Sequence, residues 1–173
     1  AYYSATFSTK RIVREIASQF EKSVKEYDIT SDVLKDDISL GSDGDLLIVG
    51  VPSYAGRVPE MAARSLKHFL GNNTPAIIVC VYGNRAYDDT LIELKDIVEA
   101  HGFKVVSAAA AIAQHSIFPR VAEGRPDAED LKKLHSFAAK NCDILSQISK
   151  MSAVSRLMVN GNRPYRDTKP IPL

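Results

Sequence analysis

Glycine is missing from the one turn where a phosphate-binding chain would be expected to carry it. Residues 4–9 read SATFST, and neither GxxxxGKS/T nor GxGxxG occurs in the 173 residues, which argues against nucleoside triphosphates and dinucleotides. Cysteine is scarce. Cys80 sits in an apolar run and Cys142 in a helical pattern, without metal or redox spacing. Both are expected to be buried, inert thiols in a reducing, cytoplasmic compartment. Excess charge is lacking too: 22 Lys and Arg against 21 Asp and Glu leave +1, so bulk charge recruits neither nucleic acid nor a charged partner. No apolar run reaches the roughly 18 residues of a membrane span and no signal peptide is visible, so membrane insertion is not expected. The hydrophobic content of 45% and charged content of 25% suit one globular domain with a proper core.

What is present alternates between two periodicities. Residues 9–21 place Ile12, Val13, Ile16 and Phe20 on one helical face. A short strand is predicted at 24–29, and continuous apolar strands, buried on both faces, at 45–51 and 76–82. Between those two strands, residues 59–70 form a helix that opens on Pro59 and stops before Gly71. A helix capped by Asp88 or Asp89 and stopped by Gly102 leads to a strand at 104–113, and a long helix covers 127–151. A helix after the second strand is missing or reduced to residues 31–40. Only about four residues precede the first turn, short for a buried strand, so the natural chain is expected to begin earlier. Strand–helix alternation predicts a parallel sheet with helices on both faces and ligands at the carboxyl ends of the strands. Residues 152–173 lose periodicity and read as a tail or linker after a domain at 1–151.

Three loops follow strands on that expected rim. The first carries Ser4, Thr6, Ser8 and Thr9 at a helix start, which reads either as a phosphate site or as a polar helix cap. The second, VPSYAGRVPE, brings Tyr54 between Pro52 and Pro59 with Gly56 at its centre, either as a ligand wall or as a plain connection. The third, YGNRAYDD, brings Tyr82, Tyr87 and Arg85 around a Gly-Asn pair. A fourth segment, residues 114–126, offers His115 as a structural or site-lining residue and Phe118 as packing. A hydroxyl-rich anion loop followed by two tyrosine-bearing loops is a layout for FMN: a dianion at a helix N-terminus, and a flat ring against aromatics. No constellation for acid–base, nucleophilic or metal catalysis is apparent. A response-regulator reading fails because the first strand ends in Ser-Ala-Thr, without acidic metal ligands.

On these motifs the chain resembles the flavodoxin-like superfamily. SATFST lines up with the phosphate-loop pattern T/S-x-T-G-x-T. VPSYAGRVP, VYGNRAYDD, HGFKVV and the run from AQHSIFP to GRPD resemble the flavodoxin-like half of bacterial flavodoxin–ferredoxin fusion proteins, over roughly residues 2–165. The resemblance implies a doubly wound five-stranded parallel sheet of order 2-1-3-4-5, in which strands 1, 3 and 4 bring the three loops together. It implies FMN as cofactor, held at its phosphate by Ser4, Thr6, Phe7, Ser8 and Thr9, and at its ring by Pro52, Ser53, Tyr54, Ala55, Gly56, Tyr82, Gly83, Asn84 and Tyr87. Gly56 and Gly83 would let backbone N–H groups approach the ring. It also implies electron exchange with a ferredoxin-type iron–sulfur protein or domain. The cluster-binding run C-x-x-C-x-x-C-x-x-x-C-P is not in the sequence, so either the ferredoxin half is removed or this member stands alone. A net charge near zero fits a tethered partner. The alternatives are an FMN-dependent NAD(P)H oxidoreductase acting on quinone-like acceptors, and a cofactor-free protein-binding module. The departure is Phe7, in the family's glycine position. It is expected at negative φ, with its N–H toward the anion and its ring over the loop.

Overall fold

The computed structural model describes residues 1–20, 23–148 and 157–167. Its centre is the longest apolar run. Residues Ala76 to Cys80 are fully buried, so neither face of this strand meets water. The described elements, in chain order, are α1 (Ser8–Ala17), β1 (Ile38–Leu40), β2 (Leu47–Pro52), α2 (Glu60–Leu66), β3 (Phe69–Gly71), β4 (Thr74–Tyr82), α3 (Thr90–Ala100), β5 (Phe103–Ile112) and α4 (Ala128–Ile148). Strands β2, β4 and β5 form one parallel sheet in that order, and β1 pairs with β3 in a second, two-stranded parallel sheet. The fold is therefore α/β. Among the described residues no helix is long and apolar enough to cross a membrane.

The two faces of β4 follow the period of two. Ala76, Ile78 and Cys80 join Val49, Val51, Leu66, Leu94 and Val98, so α2 and α3 cover one side. Val79 and Val81 join Ile12, Ile16, Leu134 and Ala138, so α1 and α4 cover the other. Gly50 of β2 lets α1 lie directly on the sheet, since a Cβ there would collide with Val13. Cys80 is buried as expected and burial pushes its thiol up to about 12, but Cys142 is only half-buried, 3.8 Å from the Gln19 carbonyl.

Several elements differ from their sequence-based bounds. The strands at the chain start and at 24–29 shrink to single bridges of Tyr2 with Asp28 and with Gly50, both parallel. Backbone bonds from Tyr2 to Tyr27 and from Tyr3 to Gly50 flank them. The helix expected at 59–70 ends at Leu66. Phe69 turns inward against Tyr27, ring centroids 5.3 Å apart, and pairs with Ile38. Burial of one aromatic thus outweighs one further turn of exposed helix. Residues 31–40, expected as a missing or reduced helix, supply β1. The last residues of the helix expected at 127–151 lie outside the described residues.

Residues 157–167, within the tail, fold back as a strap on α3. Asp89 stands at the N-cap position of α3, but its carboxylate does not cap the helix. It accepts the backbone N–H groups of Asn162 (2.8 Å) and Arg166 (2.7 Å). Asp96 accepts from Arg163 and Tyr165, and Asp88 pairs with Arg166. The Arg166 amide, first among these donors, holds the Asp89 carboxyl below the usual carboxylate range, and the Arg163 guanidinium does the same for Asp96. A carboxyl whose pKa is lowered by folding stabilises the fold above its unfolded value of about 4 and loses that contribution as pH falls through the folded value. Acidification below about pH 4 should therefore release the strap. The backbone amides of 160–166 should lose hydrogen-exchange protection there, and Asp89→Ala should lower stability by about 1–3 kcal/mol at neutral pH.

Candidate functional site

A parallel sheet places the carboxyl ends of its strands on one side, and a cavity lies there. It measures about 840 Å³ and takes lining from the ends of β2, β4 and β5 and from the start of α1.

The first wall is the turn into α1. Ser4 is buried: its N–H donates to Thr30 Oγ1 (2.9 Å) and its Oγ accepts the Lys10 N–H (3.0 Å). Ser4 is the helix cap and does not line the cavity. Thr6, Ser8 and the buried Thr9 do. The N–H groups of Ala5, Thr6, Ser8 and Thr9 have no acceptor among the described residues. The Ser4 hydroxyl thus caps the helix, whereas those of Thr6, Ser8 and Thr9 border the cavity. Phe7 differs from expectation. Its φ is +63°, its N–H donates to the Ser4 carbonyl (3.3 Å), and its side chain is 71% exposed and outside the cavity. The chain must pass from a tight Ser4–Phe7 turn into a helix within one residue, and the left-handed region makes that change of direction.

The second wall is a hairpin-like turn. Tyr54 and Arg57 exchange backbone hydrogen bonds of 3.0 Å, and the two residues between them, Ala55 and Gly56, have φ of +51° and +80°, the conformation of a type I′ turn. Pro52, Ser53, Tyr54 and Ala55 line the cavity. Gly56 does not: a Cβ there would lie 2.5 Å from Asp88 Oδ2, so this glycine admits the third loop instead.

At the third wall Tyr82 and Gly83 line the cavity, whereas Asn84 and Tyr87 do not. Tyr87 packs edge-on behind Tyr82 at 5.2 Å, and its hydroxyl accepts from Asn160 of the strap (3.1 Å). Between the two tyrosines, Tyr82 is the one that faces the cavity.

The fourth wall was left open by the sequence. Gln114, His115, Ser116 and Ile117 line the cavity. Phe118, expected as packing, is 62% exposed and lies 5.2 Å from the His115 ring. Sequence reasoning also missed Tyr3 and Met61. Tyr3 was legible from alternation, because Tyr2 points into the core and its neighbour must point away. Met61 gave no local signal.

No family model matches the chain, and no curated protein matches it. Chemically, the cavity offers an anion site at one end, made of free amides, a helix N-terminus and the hydroxyls of Thr6 and Ser8. It also offers Tyr54, Tyr82 and His115. Arg57, also in its lining, is neutralised by a two-point ion pair with Glu93 (both bonds 2.8 Å) that also holds the Val58 N–H. The anion end is thus made of dipoles and N–H groups.

A left-handed conformation disfavours a residue with a Cβ by about 1–2 kcal/mol, and glycine gives part of that back in chain entropy. Phe7→Gly should raise folding stability by about 0.5–1 kcal/mol in denaturant titration, because the exposed ring contributes little packing. A loss of stability would show that the ring is held in folded protein.

Proposed function

We propose that the cavity holds FMN and that the protein is a flavodoxin-like electron carrier whose partner is a ferredoxin-type iron–sulfur protein or domain. The observation that carries this reading is continuity: a single cavity of about 840 Å³ joins the free amides of α1 to the tyrosine-lined end. A phosphate monoester dianion suits the amides with Thr6 and Ser8, and a flat heteroaromatic ring suits Tyr54 and Tyr82. When bound, the flavin supplies the redox chemistry; the chain's own residues bind it, orient it and set its surroundings. Strand order 2-1-3-4-5 is supported by Tyr2, which bridges Asp28 on one side and Gly50 on the other. Exchange of electrons with a docked protein is supported by Ile117 at the cavity and Phe7 and Phe118 beside its lining residues, all more than half exposed. Aromatic groups such as Phe7 and Phe118 are enriched at protein interfaces.

The double variant Thr6→Ala, Ser8→Ala removes two hydroxyls that would face only the phosphate. FMN affinity should fall by about tenfold or more, while riboflavin should change by less than about twofold, both read by quenching of flavin fluorescence. Equal losses would place the phosphate elsewhere.

Carrier and oxidoreductase separate kinetically. The chain has no second nucleotide fingerprint, so the FMN-loaded protein should be reduced slowly by NADPH and quickly by a reduced ferredoxin. Rapid steady turnover with NADPH and a quinone would make it an enzyme of that class instead.

A further inference from the structure

His115 is held on three sides. The N–H groups of Ile117 and Phe118 both donate to its Nδ1, at 3.1 and 3.2 Å. Backbone amides always carry their proton, so Nδ1 is the bare nitrogen of the ring and the imidazole proton sits on Nε2. The Cδ2 edge rests on Gly83: a Cβ at that position would come within 2.6 Å of it. The Phe118 ring lies 5.2 Å away at 51°. The loop that carries the histidine is itself fastened, with His115 N–H on the Val121 carbonyl, Gln114 N–H on the Arg125 carbonyl, and the Gln114 side chain on Pro119 and Gly124. One edge of the ring is left, that of Nε2. It has no acceptor among the described residues, and His115 lines the cavity.

We infer that His115 is a ligand-binding residue: it presents a fixed Nε2–H donor to a carbonyl or imide oxygen of a planar ring in the far end of the cavity. The wall it belongs to follows β5. The first turn of α1 lies over β2, where Thr9 and Val13 meet Gly50, two strand spacings away, or about 10 Å across the sheet. A ligand with its phosphate on α1 therefore meets His115 with its ring and not with its phosphate. The role of Gly83 follows as well. Its missing side chain leaves the space in which the imidazole is clamped. This assignment rests on the FMN reading above.

The test uses the full chain labelled with ¹⁵N-histidine, and FMN and riboflavin as probes. Before FMN is added, the His115 spectrum should show a bare Nδ1 and a protonated Nε2. On adding FMN the Nε2–H signal should move. The proton on Nδ1, or an Nε2–H signal that stays still, would overturn the inference without any mutation. His115→Asn keeps a short acceptor for the Ile117 and Phe118 amides, as an Asx turn does, but cannot reach the cavity with an N–H. It should weaken FMN and riboflavin alike, by about three- to tenfold. Gly83→Ala, which displaces the imidazole, should do the same. Unchanged affinity for both flavins in His115→Asn, with wild type binding FMN normally, would sink the His115 assignment and leave the FMN reading standing. Wild type that binds no flavin would remove both.

Discussion

Everything at the site depends on one constraint, the parallel pairing of β4 with both of its neighbours. Parallel strands cannot be joined by tight turns; each needs a crossover, and crossovers return the chain to the same end of the sheet. Burial of β4 on both faces requires helices above and below; α1, α2 and α3 lie in crossovers, and α4 follows the last strand. The loops after β2, β4 and β5, and the turn before α1, then have no choice but to open on one rim. The cavity is a result of connectivity before it is a result of any side chain.

That constraint also explains what could be read in the sequence. The apolar runs around Val49 and Ile78 are long and uninterrupted, a pattern with few competing explanations, and both became strands close to their expected bounds. The loops after them were placed correctly for the same reason. What failed was decided by long-range packing. Nothing local to Phe69 shows that it will leave a helix to cover Tyr27, and nothing in YGNRAYDD tells which tyrosine faces the cavity, because the answer comes from Asn160, 73 residues away. Phe7 failed in another manner. Its residue type argues for negative φ, but the turn geometry around it required the opposite. Gly56 and Gly83 each make room for protein, Asp88 and the strap in one case and His115 in the other, which no local pattern announces.

The carboxylates of the third loop and α3 do unusual duty. Asp89 at the N-cap of α3, Glu93 and Asp96 stand three or four residues apart and share one side of the helix. Asp89 and Asp96 receive the strap. Glu93 receives Arg57, whose guanidinium also donates to the Arg166 carbonyl (2.8 Å) and lies over the Tyr165 ring at 4.9 Å. Arg57 closes the second loop and Asp89 closes the third. The strap therefore couples two walls of the cavity that share no covalent neighbour.

This coupling sets an order of events during synthesis. The strap contacts join residues 67 to 109 positions apart, and closing chain segments of that length is slow compared with forming a helix or a turn. The sheet, the anion end and the histidine wall can all be in place when residue 148 has been made. The second and third loops cannot be fastened to one another until residue 166 follows. A nascent chain halted between those points would carry the sheet and an unfinished cavity, so closure of the cavity walls marks the last stage of folding and not the first.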